Sequence, residues 1–190
     1  MRDFTLNAYR QYLEVIKASY PRILSFADFF SLDHPPDSFV IIRHDVDRKP
    51  NNALKMARLE NQMGVISSYY FRTKLHVFKA EIISEIAALG HEIGYHYESL
   101  ADTRGDYTAA LNDFEQNLEK LRKIVPIRTI AMHGSPLSKY DNLDLWRNQK
   151  YHTYLRNHLE IYGELYLDIN YAEIGYITDT GRNWSAVKAN

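Results

Sequence analysis

The chain has 190 residues, 45% of them hydrophobic and 25% charged, with a formal net charge of -1. That composition suits a single globular domain spanning 1–190 and gives no broad electrostatic pull toward nucleic acid or anionic membrane. The absence of cysteine removes disulfides and thiolate metal ligands from consideration.

No apolar run is long enough to insert in a bilayer; Phe39-Val40-Ile41-Ile42 is far too short. Met1 to Tyr20 lacks the continuous apolar core of a secretory signal, so a cytoplasmic location is expected. The same segment holds an N-terminal helix around Tyr9 to Ile16. Ser38 to Arg43 is a short apolar, β-branched run with the pattern of a buried strand. Pro50 suits the first turn of a helix, Ala53, Met56, Ala57 and Met63 follow at helical spacing, and Gly64 is its stop. Ile66 to Arg72, rich in tyrosine and phenylalanine, is a second strand. Ile82, Ile86 and Leu89 mark a helix closed by Gly90, and a third strand covers Glu92 to Tyr95.

The clearest helix runs from Asp106 to Ile124. Tyr107, Leu111, Phe114, Leu118 and Leu121 recur at alternating steps of four and three, charged residues fill the other faces, and Pro126 ends it. Thr129 to Met132 is a fourth strand, Gly134 to His158 is turn-rich, and Tyr166 to Ile169 and Tyr176 to Thr178 are late strands. Strands alternating with helices predict an α/β fold with a parallel sheet, whose chemistry gathers at the C-terminal ends of the strands.

Those ends read Arg43-His44-Asp45-Val46-Asp47, Arg72-Thr73-Lys74, His96-Tyr97-Glu98 and His133-Gly134-Ser135-Pro136. Carboxylates and imidazoles at three of the four make the donor set of a hard or borderline divalent metal. Asp45 and Asp47, two apart on extended backbone, face one side, and a cation between them relieves their repulsion. An Asp-rich turn capping the next helix is the competing reading. His96 and Glu98 repeat the spacing. His44 points the other way, and His91 lies at the strand entrance; both read as structural. Arg43, Arg72 and Tyr97, at the same ends, are candidate substrate contacts, and Trp146 or Trp184 could stack on a pyranose face.

Arg43-His44-Asp45-Val46-Asp47, Gly90-His91-Glu92-Ile93-Gly94-Tyr95-His96 and His133-Gly134-Ser135-Pro136 together resemble the polysaccharide deacetylase superfamily, carbohydrate esterase family four, in a divergent branch found among surface-polysaccharide genes. The resemblance extends from Val40 to Trp184. It implies a distorted (β/α) barrel, a divalent metal such as zinc, a carbohydrate substrate, Asp45 as base and Asp47 as ligand. It carries His96 onto the family's first ligand histidine and Leu100 onto the second. Leu100 cannot bind metal, so His133 is expected as third ligand, with Glu98 the alternative. The family's aspartates are adjacent, whereas Val46 separates these two, so their roles could be exchanged. The family's late histidine has no counterpart after His158, and the elements fall short of a full barrel, as if the last strand and helix were lacking. An open sheet edge would follow, covered by a loop, by the N-terminal helix or by a second chain in a homodimer.

Two kinds of function stay open. One is metal-dependent removal of acyl groups from amino sugars or glycans, with weak or no turnover expected. The other is a catalytically degenerate module that binds a glycan or a partner of polysaccharide assembly.

Overall fold

The computed structural model describes residues 5–178 and, of residues 185–187, the backbone alone. Helix α1 (Leu6–Ser19) starts where the Thr5 hydroxyl accepts the Ala8 N–H. Strand β1 (Ile23–Leu24), helix α2 (Phe26–Ser31) and strand β2 (Val40–Ile41) follow. Next come β3 (Arg43–Val46), α3 (Pro50–Gln62), β4 (Ser68–Phe71), α4 (Ala80–Ala88) and β5 (Glu92–Tyr97). The short α5 (Ser99–Asp102), α6 (Tyr107–Arg122), β6 (Thr129–Met132), α7 (Asp144–Arg147), α8 (Gln149–Asn157) and β7 (Gly163–Glu164) continue the chain. An antiparallel pair, β8 (Tyr176–Thr178) with β9 (Ser185–Val187), ends it.

The main sheet has five parallel strands in the order β3-β4-β5-β6-β7. Neighbours in sequence are neighbours in space, so each crossover joins adjacent strands. Alternation along the strands sorts the side chains onto two faces. Val46, Tyr69, Phe71, Ile93, Tyr95, Tyr97 and Ile130 share one large apolar cluster with residues of α3, α4, α6, α7 and α8. Tyr70 and Ala131 face the other way, against Phe26 of α2 and Leu165 and Ile169 beyond β7. The α6 stripe read from the sequence is the stripe that packs: Phe114, Leu118 and Leu121 are buried. Helix α1 closes the β3 side, where Leu13 and Ile16 meet Ile42, Leu59 and Val65. Among the described residues no helix is long and apolar enough to cross a membrane.

Two expected strands differ. Ser38 to Arg43 is not one strand of the main sheet. Val40–Ile41 pairs with Ile23–Leu24 in a separate two-stranded sheet, and the main-sheet strand begins at Arg43. The apolar run is apolar because Ile42 packs under α1 and Val40 and Ile41 sit at cluster margins. Tyr166 to Ile169 is a turn, and the last strand of the main sheet is Gly163–Glu164 instead. The Glu164 carboxylate accepts the backbone N–H groups of Tyr166 at 2.6 Å and Leu167 at 3.1 Å, which curls the segment out of the ladder. Asp179 to Trp184 lie outside the described residues.

Gly94 has a packing role. The ring of Tyr70, fully buried, crosses β5 at Gly94 so that its hydroxyl meets Thr129 Oγ1 at 2.6 Å. A Cβ on Gly94 would stand 2.2 Å from the Tyr70 ring.

Candidate metal centre

Asp47 leaves the end of β3, His96 sits near the end of β5, and His133 follows β6, so the sheet brings three distant parts of the chain to one edge. One ligand atom from each lies within 4.8 Å of the others. Asp47 Oδ1 is 3.5 Å from His96 Nε2 and 3.4 Å from His133 Nδ1. The two imidazole nitrogens are 3.3 Å apart.

His96 Nδ1 lies 2.9 Å from the Ala131 carbonyl. A carbonyl only accepts, so Nδ1 carries the proton and Nε2 turns a lone pair toward the cluster. Burial first, then the neighbouring His96 imidazole and the Arg72 guanidinium, hold the His133 imidazole below its ordinary pKa, which favours the neutral form that ligates metals. Asp47 Oδ1 is buried and has no hydrogen-bond partner. A buried orphan oxygen facing two imidazole nitrogens is an unsatisfied arrangement that a cation would satisfy. One carboxylate and two imidazoles suit zinc or a similar divalent ion, with room for further ligands.

The loop carrying His133 is held by Asn142, which is 1% exposed. Its side-chain amide donates to the His133 carbonyl at 2.7 Å and to Ser135 Oγ at 3.0 Å, and its oxygen accepts the Ala101 N–H at 2.9 Å. Ser135 takes a left-handed backbone conformation, φ 39°. The sequence gives no sign of Asn142, because its partners lie on three separate segments.

Each two-apart pair divides its duties. Asp47 joins the cluster, while Asp45 is gripped by Arg43 through Nε–Oδ1 at 2.8 Å and NH2–Oδ2 at 2.6 Å. Asp45 stays beside the site, its Oδ2 3.9 Å from His96 Nε2. Burial works to raise its pKa, but the Arg43 guanidinium, with His96 next, outweighs that and holds it at about 2. His96 likewise faces the cluster, while Glu98 is taken up by Arg72 at 2.9 and 2.7 Å, with Lys74 at 3.5 Å. Glu98 is therefore outside the ligand set, and Arg72 is engaged with it.

Arg43 also donates to the Tyr166 hydroxyl at 2.8 Å, with its guanidinium carbon 5.0 Å from that ring's centre. Tyr166, exposed, is a rim residue that sequence reasoning missed. Tyr97 does not reach the site. It is the last residue of β5, alternation turns it to the helix face, and its hydroxyl lies 3.4 Å from buried Glu164. Leu100 is in the core beside it, and Trp146 is fully buried against Phe114, unable to stack on a sugar. Trp184 falls outside the described residues.

His44 and His91 lie behind the sheet in a separate polar cluster. Glu60, fully buried, accepts from the Tyr9 hydroxyl, from His44 Nε2 at 2.6 Å and from the Tyr69 hydroxyl at 2.6 Å. His91 Nδ1 accepts the Ser67 N–H at 3.2 Å, and its Nε2 donates to the Ala57 carbonyl at 2.9 Å.

Comparison with protein-family models, with curated proteins and with solved structures finds no match to this chain.

Proposed function

We propose that this chain is a metal-dependent hydrolase of the polysaccharide deacetylase type, a partial (β/α) barrel removing acyl groups from an amino sugar or glycan. The observation that carries the reading is the orphaned Asp47 Oδ1 converging with His96 and His133. The motif resemblance and the sequential parallel sheet with its crossover helices packed on one face support it. Asp47, His96 and His133 would hold the ion, zinc in this reading. A divalent ion there supplies Lewis acidity toward an acyl oxygen and a lowered pKa for water.

The protein's own groups do the rest. Asp45 Oδ2, beside the cluster, takes the proton of the attacking water. Arg43 fixes both Asp45 oxygens, so the base is oriented before substrate arrives, at the cost of basicity. Such a weakened base fits slow rather than rapid turnover. The Ala131 carbonyl orients the His96 ring so that Nε2 faces the cluster. Tyr166, beside Arg43, offers a ring face at the rim for a sugar.

The test is metal content by elemental analysis together with acetate release from acetylated amino sugars. Zinc-loaded protein is expected to hold one ion and to release acetate slowly. Asp47→Ala and His96→Ala lose the ion, and Asp45→Asn keeps it and loses hydrolysis. Substoichiometric metal after loading would overturn the metal reading. Full metal without acyl release on any substrate would favour a glycan-binding module.

A further inference from the structure

At the rim of this edge the cations are unequally treated. Arg43 is neutralised by Asp45, Arg72 by Glu98, and Lys74 by Glu98 and Asp102. Arg48, Lys49 and Lys79 have no carboxylate partner among the described residues. All three line a single cleft of about 440 Å³, together with His76, Asn51 and Asn52. Glu81 is the one acidic residue in that lining.

The cleft lies at the same end of the sheet as the candidate metal centre. Arg48 is the residue after Asp47, and the cleft's two walls are the β3–α3 and β4–α4 connections with the first turns of their helices. Both connections leave the same end of the sheet as the ligands. The concentration of positive charge does not follow from composition, since the whole chain carries a net charge of -1. Like charges gathered around a concavity repel one another, and an anion seated among them removes the repulsion. The volume is that of a small-ligand cleft, roughly 300–1,000 Å³ in general. A guanidinium offering a two-pronged contact, with ammonium groups acting as point charges, is the set that recognises phosphate.

We infer that the cleft lined by Arg48, Lys49 and Lys79 binds a phosphate group, and that the substrate is a phosphorylated sugar whose acyl group reaches the Asp47–His96–His133 centre. The second half rests on the hydrolase reading above; the first does not. Phosphate in the cleft could belong to a sugar monophosphate or to the diphosphate of a nucleotide-linked sugar.

The experiment is titration calorimetry at low ionic strength, on chelator-treated protein so that no metal can hold the phosphate. The probes are inorganic phosphate, N-acetylglucosamine 1-phosphate, uridine diphosphate N-acetylglucosamine and neutral N-acetylglucosamine. The phosphorylated probes should bind and the neutral sugar should not. Arg48→Gln combined with Lys79→Gln should weaken them at least about tenfold, as expected for losing a charge-assisted contact. Lys123→Gln, at the C-cap of α6 and outside the cleft lining, should change nothing. Asp47→Ala should leave phosphate affinity intact while abolishing metal uptake, which separates failure of the cleft from failure of the metal centre. The tighter of the two phosphorylated sugars identifies the source. Equal binding of neutral sugar, or unchanged affinity in a folded double variant, would overturn the inference.

Discussion

Replacing Glu60 by alanine should destabilise the fold more than any single change at the rim. The carboxylate is fully buried and serves three donors: the Tyr9 hydroxyl, His44 Nε2 and the Tyr69 hydroxyl. Tyr9 and His44 retain each other, 3.1 Å apart, so their loss is partial. Tyr69 is fully buried and would be left with an unpaired hydroxyl, costing about 1–3 kcal/mol. The space vacated by the carboxylate and its stem adds about 1–2 kcal/mol. The sum is about 2–5 kcal/mol, overlapping the cost of removing one partner from a buried ion pair. For a chain of this size that lowers the melting temperature by roughly 10 °C. Glu60→Gln keeps one acceptor oxygen and should cost about 1–2 kcal/mol.

The sign of the pH effect is also fixed. Burial opposes ionisation of Glu60, but the hydrogen bonds, His44 foremost, outweigh it and hold the carboxyl below its ordinary 4.5. Its contribution is present above that value and fades as pH falls through the lowered folded pKa. Urea unfolding of wild type and both variants, at neutral and acid pH, measures all of this. A loss below about 1 kcal/mol for Glu60→Ala would refute the reasoning. Metal content should be unaffected, because the network lies behind the sheet.

Two further outcomes are expected. Asn142→Ala frees the His133 loop and should weaken zinc affinity about 10–100-fold, with Asp47, His96 and His133 all still present, as competition against a chelator would show. Burial pushes Glu164 up to about 7 from 4.5. Its folded state therefore holds the proton more tightly, and the stabilisation present below pH 4.5 is lost as pH rises to about 7. The loss is at most about 3 kcal/mol; in Glu164→Gln the difference between unfolding free energies at pH 5 and pH 8 should shrink accordingly.

The elements legible in the sequence were those whose period is set by one-sided burial. The Phe114-Leu118-Leu121 stripe and the Thr129–Met132 strand needed no tertiary information. Strand β3 was misplaced because its sheet-facing residues are charged: Arg43 and Asp45 satisfy each other, so the segment carries no apolar signature. The convergence of Asp47, His96 and His133 followed from strand ends. Tyr97 was placed wrongly there although alternation alone sends it opposite to His96. Glu98 could not be separated from a ligand without knowing that Arg72 sits on the neighbouring strand. Tyr166, Asn142 and Glu60 act through partners remote in sequence, and no local pattern marks them.

Gly94 and Tyr70 share one volume. The motif glycine is small because a ring from the adjacent strand occupies the place of its side chain, and that ring cannot retreat while its hydroxyl is tied to Thr129. The two positions therefore carry a joint constraint that neither has alone. Gly94→Ala by itself should fail to pack, whereas Gly94→Ala with Tyr70 reduced to an aliphatic residue should recover part of the loss. In sequences descended from a common ancestor with this chain, a side chain at position 94 should be found only where position 70 is no longer aromatic. Such paired replacement would record the crossing of β5 by the ring without any structure being solved.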